Sequence, residues 1–245
     1  MIKLEKKKRK AAILFLVFFS FILGASIIYI VKNQNYGYTL SSSYLIPPEE
    51  LLQKKISALE GNPDNAILVS YHYSYGLNNY DESIRWFSIA AENGHCEGMY
   101  SLTLRYLRSI NHDLRFRGIF WLRKMAKFDY RDSYAWLMRE GYTIDSSQPN
   151  EDFLFYNDYS KISDTEIDSF KKSALQGNVI AALFLGNFYS KSVNDLEFAE
   201  YWYRIGSQNG SIECMYILGQ MMIKLNNEFD QIRGSFWLRQ AGIEQ

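Results

Sequence analysis

GHCEGMYSLTLRY, residues 94–106, is the segment on which the reading of the fold turns. It opens on a histidine beside a cysteine, which raises a catalytic or metal-binding pair. Its remaining residues point elsewhere. Gly98, Leu102, Thr103 and Tyr106 stand at offsets 0, 4, 5 and 8, which is one face of a helix. Four other segments align with it without gaps: GNPDNAILVSYHY (61–73), DYRDSYAWLMREG (129–141), GNVIAALFLGNFY (177–189) and GSIECMYILGQMM (210–222). Short residues recur at the first offset (Asn65, Gly98, Ser133, Ala181, Cys214), and Val69, Leu102, Leu137, Leu185 and Leu218 recur at the second. Small side chains on that face let a neighbouring helix approach closely.

Working outward, each segment adjoins a second helix marked by tryptophan. Trp86 and Trp121 are 35 residues apart, and so are Trp202 and Trp237. Gly94 and Gly210 follow two of them by eight residues, Asp129 takes the place after Trp121, and Gln245 ends the chain at the fourth. The third unit carries Ser169-Phe170 where the others have tryptophan. Each unit is therefore a helical hairpin of about 33–36 residues, and hairpins of this size bury both faces only by stacking.

ALFLGNFY with WYRIGSQNG, and GMYSLTLRY with WFSIAAENG, together resemble the Sel1-like repeat, a relative of the tetratricopeptide repeat. That resemblance implies an all-α solenoid of α–α hairpins over 49–245, with units near 61–94, 95–129, 130–177, 178–210 and 211–245; the composition of the N-terminus sets one transmembrane helix before it. Residues 49–60 are amphipathic and predict a first, capping helix. The third unit is longer by about 14 residues, over 143–170. Within it Ser163-Asp164-Thr165-Glu166 is a capping box that restarts a helix. The aromatic FLFYNDY before it is either a loop packed on the repeats or a partner contact.

The N-terminus has a different composition. Residues 1–10 hold six basic side chains and one acid, and form a basic cytoplasmic tail. Residues 11–31 hold no charge, and as a helix they span roughly 31 Å, the thickness of a bilayer core. We read 11–32 as a transmembrane helix and 33–48, with its Pro pair, as a linker. The positive-inside rule puts the N-terminus in the cytoplasm. The repeat domain then lies in the periplasm of a Gram-negative cell, or in the secretory lumen of a eukaryote. A cleaved signal peptide is the rival reading, with Gly24 and Ser26 as its small residues. The run Ile27-Ile28-Tyr29-Ile30-Val31 favours the uncleaved anchor, and no cysteine lies near residue 26 for a lipoprotein anchor.

Of the 27 basic and 27 acidic side chains, six and one fall in residues 1–10 and Lys32 is the next base, so residues 33–245 carry 20 basic and 26 acidic. A nucleic-acid partner is excluded on that balance. The three histidines, His72, His95 and His112, form no pair at metal-ligand spacing, and no phosphate loop or nucleophile elbow is present. No catalytic, metal or cofactor residue is expected, and no small-molecule substrate. Asp64, Glu97, Asp132 and Glu213 share one register position, where acids complement a helix dipole. Cys96 and Cys214, set in distant units, are expected to be free thiols.

The resemblance implies a protein partner. In tetratricopeptide arrays the first helix of each unit lines a concave groove. By register that groove takes Tyr71, Leu104, Arg139, Asn187 and Gln220, and one turn later Tyr75, Arg108, Thr143, Lys191 and Lys224. The layout suits an inner-membrane immunity protein that occludes a phospholipase-type toxin of type VI secretion. An envelope scaffold or regulator is the alternative.

Overall fold

The computed structural model describes residues 42–144 and 162–243. The chain divides into two compact units, Met1–Ser43 and Tyr44–Gln245. The proposed tail, membrane helix and most of the linker lie outside the described residues, as does most of the 143–170 expansion. Among the described residues no helix is long and apolar enough to cross a membrane. The architecture below is that of the second unit.

Eleven helices are described, in the order α1 (Pro48–Glu60), α2 (Pro63–Tyr71), α3 (Tyr80–Glu92), α4 (Cys96–Leu107), α5 (His112–Ala126), α6 (Ser133–Arg139), α7 (Asp164–Leu175), α8 (Val179–Phe188), α9 (Leu196–Asn209), α10 (Ile212–Met222) and α11 (Glu228–Gln240). Behind α1 they form the hairpins α2/α3, α4/α5, α8/α9 and α10/α11, while α6 packs on α5 and α7 packs on α8. The element type follows from local sequence. At nine of the eleven, the N-cap side chain accepts a backbone N–H: Asn62, Asn79, His95, Asn111, Ser163, Asn178, Asp195, Ser211 and Asn227. The capping box is present at Ser163, whose own N–H donates to Glu166 Oε2 at 2.8 Å. Gly94 (φ +94) and Gly210 (φ +108) end the Trp helices in the left-handed region that favours glycine. Asp129 takes the same conformation without being glycine, with φ +47.

The register read from sequence is the register of burial. Val69, Leu102, Leu137, Leu185 and Leu218 are all buried, at 1% exposure or less. Trp86, Trp121, Trp202 and Trp237 are buried too, and Phe170 fills the place in the third unit. At the small position Gly98, Ser133, Ala181 and Cys214 are buried. Asn65 is the exception. It is half-buried and donates from Nδ2 to Ser57 Oγ at 2.9 Å, tying α2 to α1.

The pattern has a second period. A shift of 116 residues carries Trp86 onto Trp202, Trp121 onto Trp237, Asn62 onto Asn178 and Asn111 onto Asn227. It also carries RGIFWLR (117–123) onto RGSFWLR (233–239). So α1–α5 repeat as α7–α11, and α6 lies between the halves. Each half packs its last helix against the first helix of the other: α5 on α7, and α11 on α1. At the second junction a Cβ on Gly61 would stand 2.9 Å from Phe236 Cε2, so the contact is tight. The array therefore closes on itself head to tail. The sequence reading placed no capping helix after the last unit, and the structure covers that unit with α1.

Candidate functional site

The residue pair that first drew attention is a helix start. His95 Nδ1 accepts the Glu97 N–H at 3.1 Å, which caps α4, and Nε2 lies 3.6 Å from Asp64 Oδ1. Burial pushes the Cys96 thiol up, away from the thiolate a nucleophile needs. Cys96 and Cys214 are both free, and burial pushes the Cys214 thiol up to about 11. His72 is buried, and its Nδ1 accepts the Ile46 N–H at 3.0 Å. Burial holds its pKa below the usual histidine value. That bond pins the chain entering α1 beside the end of α2.

Two arrangements remain that could bind something. The first is an aromatic face on the first helices of units one to three. A π-helical turn at His72–Gly76 prolongs α2. It brings Tyr71 and Tyr75 to 5.4 Å between ring centroids, with Tyr44 at 5.9 and 5.1 Å from them. On α4, Tyr100 lies 6.5 Å from Tyr130 and 6.2 Å from Trp136. Arg131 covers Tyr100 at 4.5 Å and bonds Glu97 at 3.0 Å, while the Tyr130 hydroxyl donates to the same Glu97 oxygen at 2.6 Å. Arg131 is held there by a corner in which Asp129, Arg131 and Asp132 all have positive φ, between 47° and 53°. Such a run in non-glycine residues costs on the order of 1 kcal/mol each, and the Glu97 and Tyr100 contacts offset it. Burial and then the Glu97 charge raise the Tyr71 phenol to about 12, and the same two causes raise Tyr75. Glu97 therefore acts electrostatically on both tyrosine groups.

The second arrangement lies where the halves meet, around a cavity of about 320 Å³ lined mainly by α3, α5, α9 and α11, with Leu59, Tyr106 and Met222 from other helices and with Glu92 and Asp230 as the acids on its wall. Arg117 and Arg233 both line it and are only 3% and 2% exposed. Their environments match under the 116-residue shift. Arg117 donates from Nη1 to Leu175 O and Asn209 Oδ1, at 3.3 and 2.8 Å, and from Nη2 to Gln208 Oε1 at 2.7 Å. Arg233 donates from Nη1 to Leu59 O and Asn93 Oδ1, at 3.3 and 2.8 Å, and from Nη2 to Glu92 Oε2 at 2.6 Å. Gln208 Nε2 closes the circuit on Glu92 Oε1 at 2.8 Å. Nearby, Lys124 Nζ donates to Gln208 O at 2.7 Å. Burial, then the Arg117 charge, lowers Lys124 to about 8.

Of the groove residues read from sequence, Tyr71 and Tyr75 lie in the aromatic face. Leu104 and Arg108 line a shallow cleft of about 300 Å³ with Ser74 and Tyr80. Arg139 is exposed at the end of α6, and the Thr143 carbonyl accepts from Arg123 Nε at 3.2 Å. In the second half, Asn187 accepts from the Tyr203 hydroxyl at 3.0 Å, Gln220 is half-buried, and Lys191 and Lys224 are exposed. No hydrogen bond, ion pair or ring contact among the described residues joins those four to the aromatic face. Sequence reasoning missed Tyr44, Tyr100, Glu97, Tyr130 and Arg131, and all of the axial network. The repeated RG[IS]FWLR was the available signal for the network.

No protein-family model matches the chain, and no curated protein matches it. Among solved structures it is similar to a Sel1 repeat protein from Oxalobacter formigenes, at 20% identity over 79% of this chain and 78% of that one, with a TM-score of 0.31. It is also similar to a protective antigen present in uropathogenic Escherichia coli strains displaying an SLR fold, at 21% identity over 78% of this chain, with a TM-score of 0.31. The match spans 40% of that antigen's length.

Proposed function

We propose that the chain is a protein-binding module, held at the inner membrane by residues 11–32, with its repeat unit in the periplasm. The observation that carries the binding reading is the aromatic face across α2, α4 and the Tyr130–Trp136 corner. Tyrosine, tryptophan and arginine are the side chains that give most per residue at interfaces, because each buries a large rigid surface and keeps a polar handle. Here they are already packed against one another, so little side-chain entropy is lost on docking. Tyr75 remains 44% exposed and Tyr44 40%, which leaves surface to be covered.

Within this reading, stoichiometric occlusion of a phospholipase-type toxin of type VI secretion is the specific role proposed. An anchored inhibitor would meet such a toxin beside the bilayer it attacks. Recruitment of envelope proteins by a scaffold is the second reading. The product of the adjacent reading frame distinguishes them. Immunity predicts that this product binds the full-length chain one to one, and that deleting the chain's gene exposes the cell to killing by sister cells. Tyr75→Glu and Arg131→Glu are expected to abolish capture, with Lys191→Glu leaving it intact. Capture unaffected by the first two changes would remove the aromatic face from the interface.

A further inference from the structure

The shift of 116 residues sets one surface beside a second copy of itself. Glu97, Met99, Tyr100 and Leu102 of α4 fall on Glu213, Met215, Tyr216 and Leu218 of α10, with the same residue at each place. The helices behind them, α5 and α11, share the RG[IS]FWLR run. The two copies differ in what covers them. On α4 the cover is the corner at Asp129–Asp132 and the helix α6 that follows it. Arg131 lies 4.5 Å over the Tyr100 ring and 3.0 Å from Glu97, the Tyr130 hydroxyl donates to Glu97 at 2.6 Å, and Trp136 stands 6.2 Å from Tyr100. Under this cover Met99 is buried and Glu97 half-buried. On α10 the same side chains are open. Tyr216 is 46% exposed, and Ile212, on the place of Cys96, 60%. Glu213 is exposed and Met215 half-buried. Glu213 accepts from the Ser211 hydroxyl at the start of its own helix, at 3.2 Å, and makes no ion pair with another described residue.

We propose that this face of α10, formed by Ile212, Glu213, Met215 and Tyr216, is the docking site for a helix of a partner protein that begins on a tyrosine–arginine turn, as α6 does. The apolar side chains supply area to bury, and the carboxylate selects the cation. A carboxylate beside an open aromatic ring engages a guanidinium twice, through an ion pair and through the ring face. On α4 both contacts are made at once by Arg131, on the same four side chains. A second copy of this chain is the poorer fit. Two α10 helices meeting across a two-fold axis would bring carboxylate towards carboxylate, and α10 has no basic residue to pair them. The face belongs to the second half and shares no residue with the aromatic face, so its test stands apart from that of the partner-binding reading.

The test appends a second copy of residues 129–144 in place of Gln245, the position on which the 116-residue shift sets Asp129. Tethering raises the effective concentration of the probe, so a helix too short to persist alone can still dock. In the full-length protein the appended segment should raise the urea midpoint by roughly 0.5 M. The gain should vanish when the appended segment carries Arg131→Glu, and when the chain carries Glu213→Lys, each compared with its parent lacking the segment. An unchanged midpoint, or an equal gain in the Glu213→Lys background, would overturn the assignment. So would sedimentation of the natural chain as a dimer that Tyr216→Glu dissociates, because a second copy would then cover the face.

Discussion

At the residue scale, the decisive positions are those where a side chain is denied what its chemistry wants. Lys124 is held at about 8, well below the ordinary lysine value of 10.5, by burial and by the Arg117 charge. Between those two values the unfolded chain holds a proton on Lys124 that the folded chain has released. Stability from this group is therefore missing below pH 8 and is gained as pH rises towards 10.5, by up to ~3 kcal/mol. Cys214 opposes this from about pH 9, because its buried thiol keeps a proton that the unfolded chain loses. The comparison that isolates Lys124 is wild type against Lys124→Met by urea unfolding at pH 7.5 and pH 9. The difference between the two proteins should shrink as pH rises, and a constant difference would contradict the burial of that charge. Glu92→Gln, by contrast, strips Arg233 of its one carboxylate. It should cost about 3–5 kcal/mol, readable as a fall in urea midpoint. His95 and Cys96 illustrate what sequence shows at this scale. Their place in the register, at a joint where neither type recurs, marked them as structural before any geometry was known. The Glu97 pairing with Tyr130 and Arg131 was not legible, because it depends on a left-handed corner that no propensity favours.

At the element scale, helix starts and the buried faces were readable because both are local: a cap lies within three residues of what it satisfies, and a face follows from spacing. Close approach of helices was readable in kind but not in partner. Where α3 meets α4, Gly98 leaves room for Ala90 and Ala91, and a Cβ there would stand 2.7 Å from Ala91 N. In the second half the roles exchange. Cys214 occupies the position of Gly98, and Gly206 the position of Ala90, with a Gly206 Cβ only 2.3 Å from Cys214 Sγ. The glycine and the larger residue change places across the same gap. Gly206→Ala should cost about 1–3 kcal/mol by overpacking, and Gly206→Ala with Cys214→Gly should recover most of it. Additive losses in that double-mutant cycle would show that the two do not share the gap. Ser163→Ala removes the capping box that starts α7 and should cost about 1 kcal/mol.

At the scale of the whole unit, the sequence shows hairpins stacking but not where the stack goes. Curvature is the sum of small rotations per repeat, and it decides whether the ends meet. Closure instead depends on contacts between residues more than a hundred positions apart, such as Arg233 with Glu92 and Gln208 with Glu92. The groove read from sequence assumed that the first helices of all five units line one continuous surface. The structure gathers the tyrosines of the first units and sets the charged second helices around the centre. The closed arrangement creates both the axial cavity and the fixed backdrop for the aromatic face. Closure is measured most directly by the distance between spin labels at positions 60 and 240, both exposed, in full-length protein with Cys96 and Cys214 replaced by alanine. Arg239 Nη2 donates to Glu60 O at 3.0 Å, so the closed unit predicts a narrow label distance of roughly 20 Å for neighbouring helices. An open row of five hairpins would place the labels on the order of 50 Å apart, and a distribution centred there would contradict the closed unit.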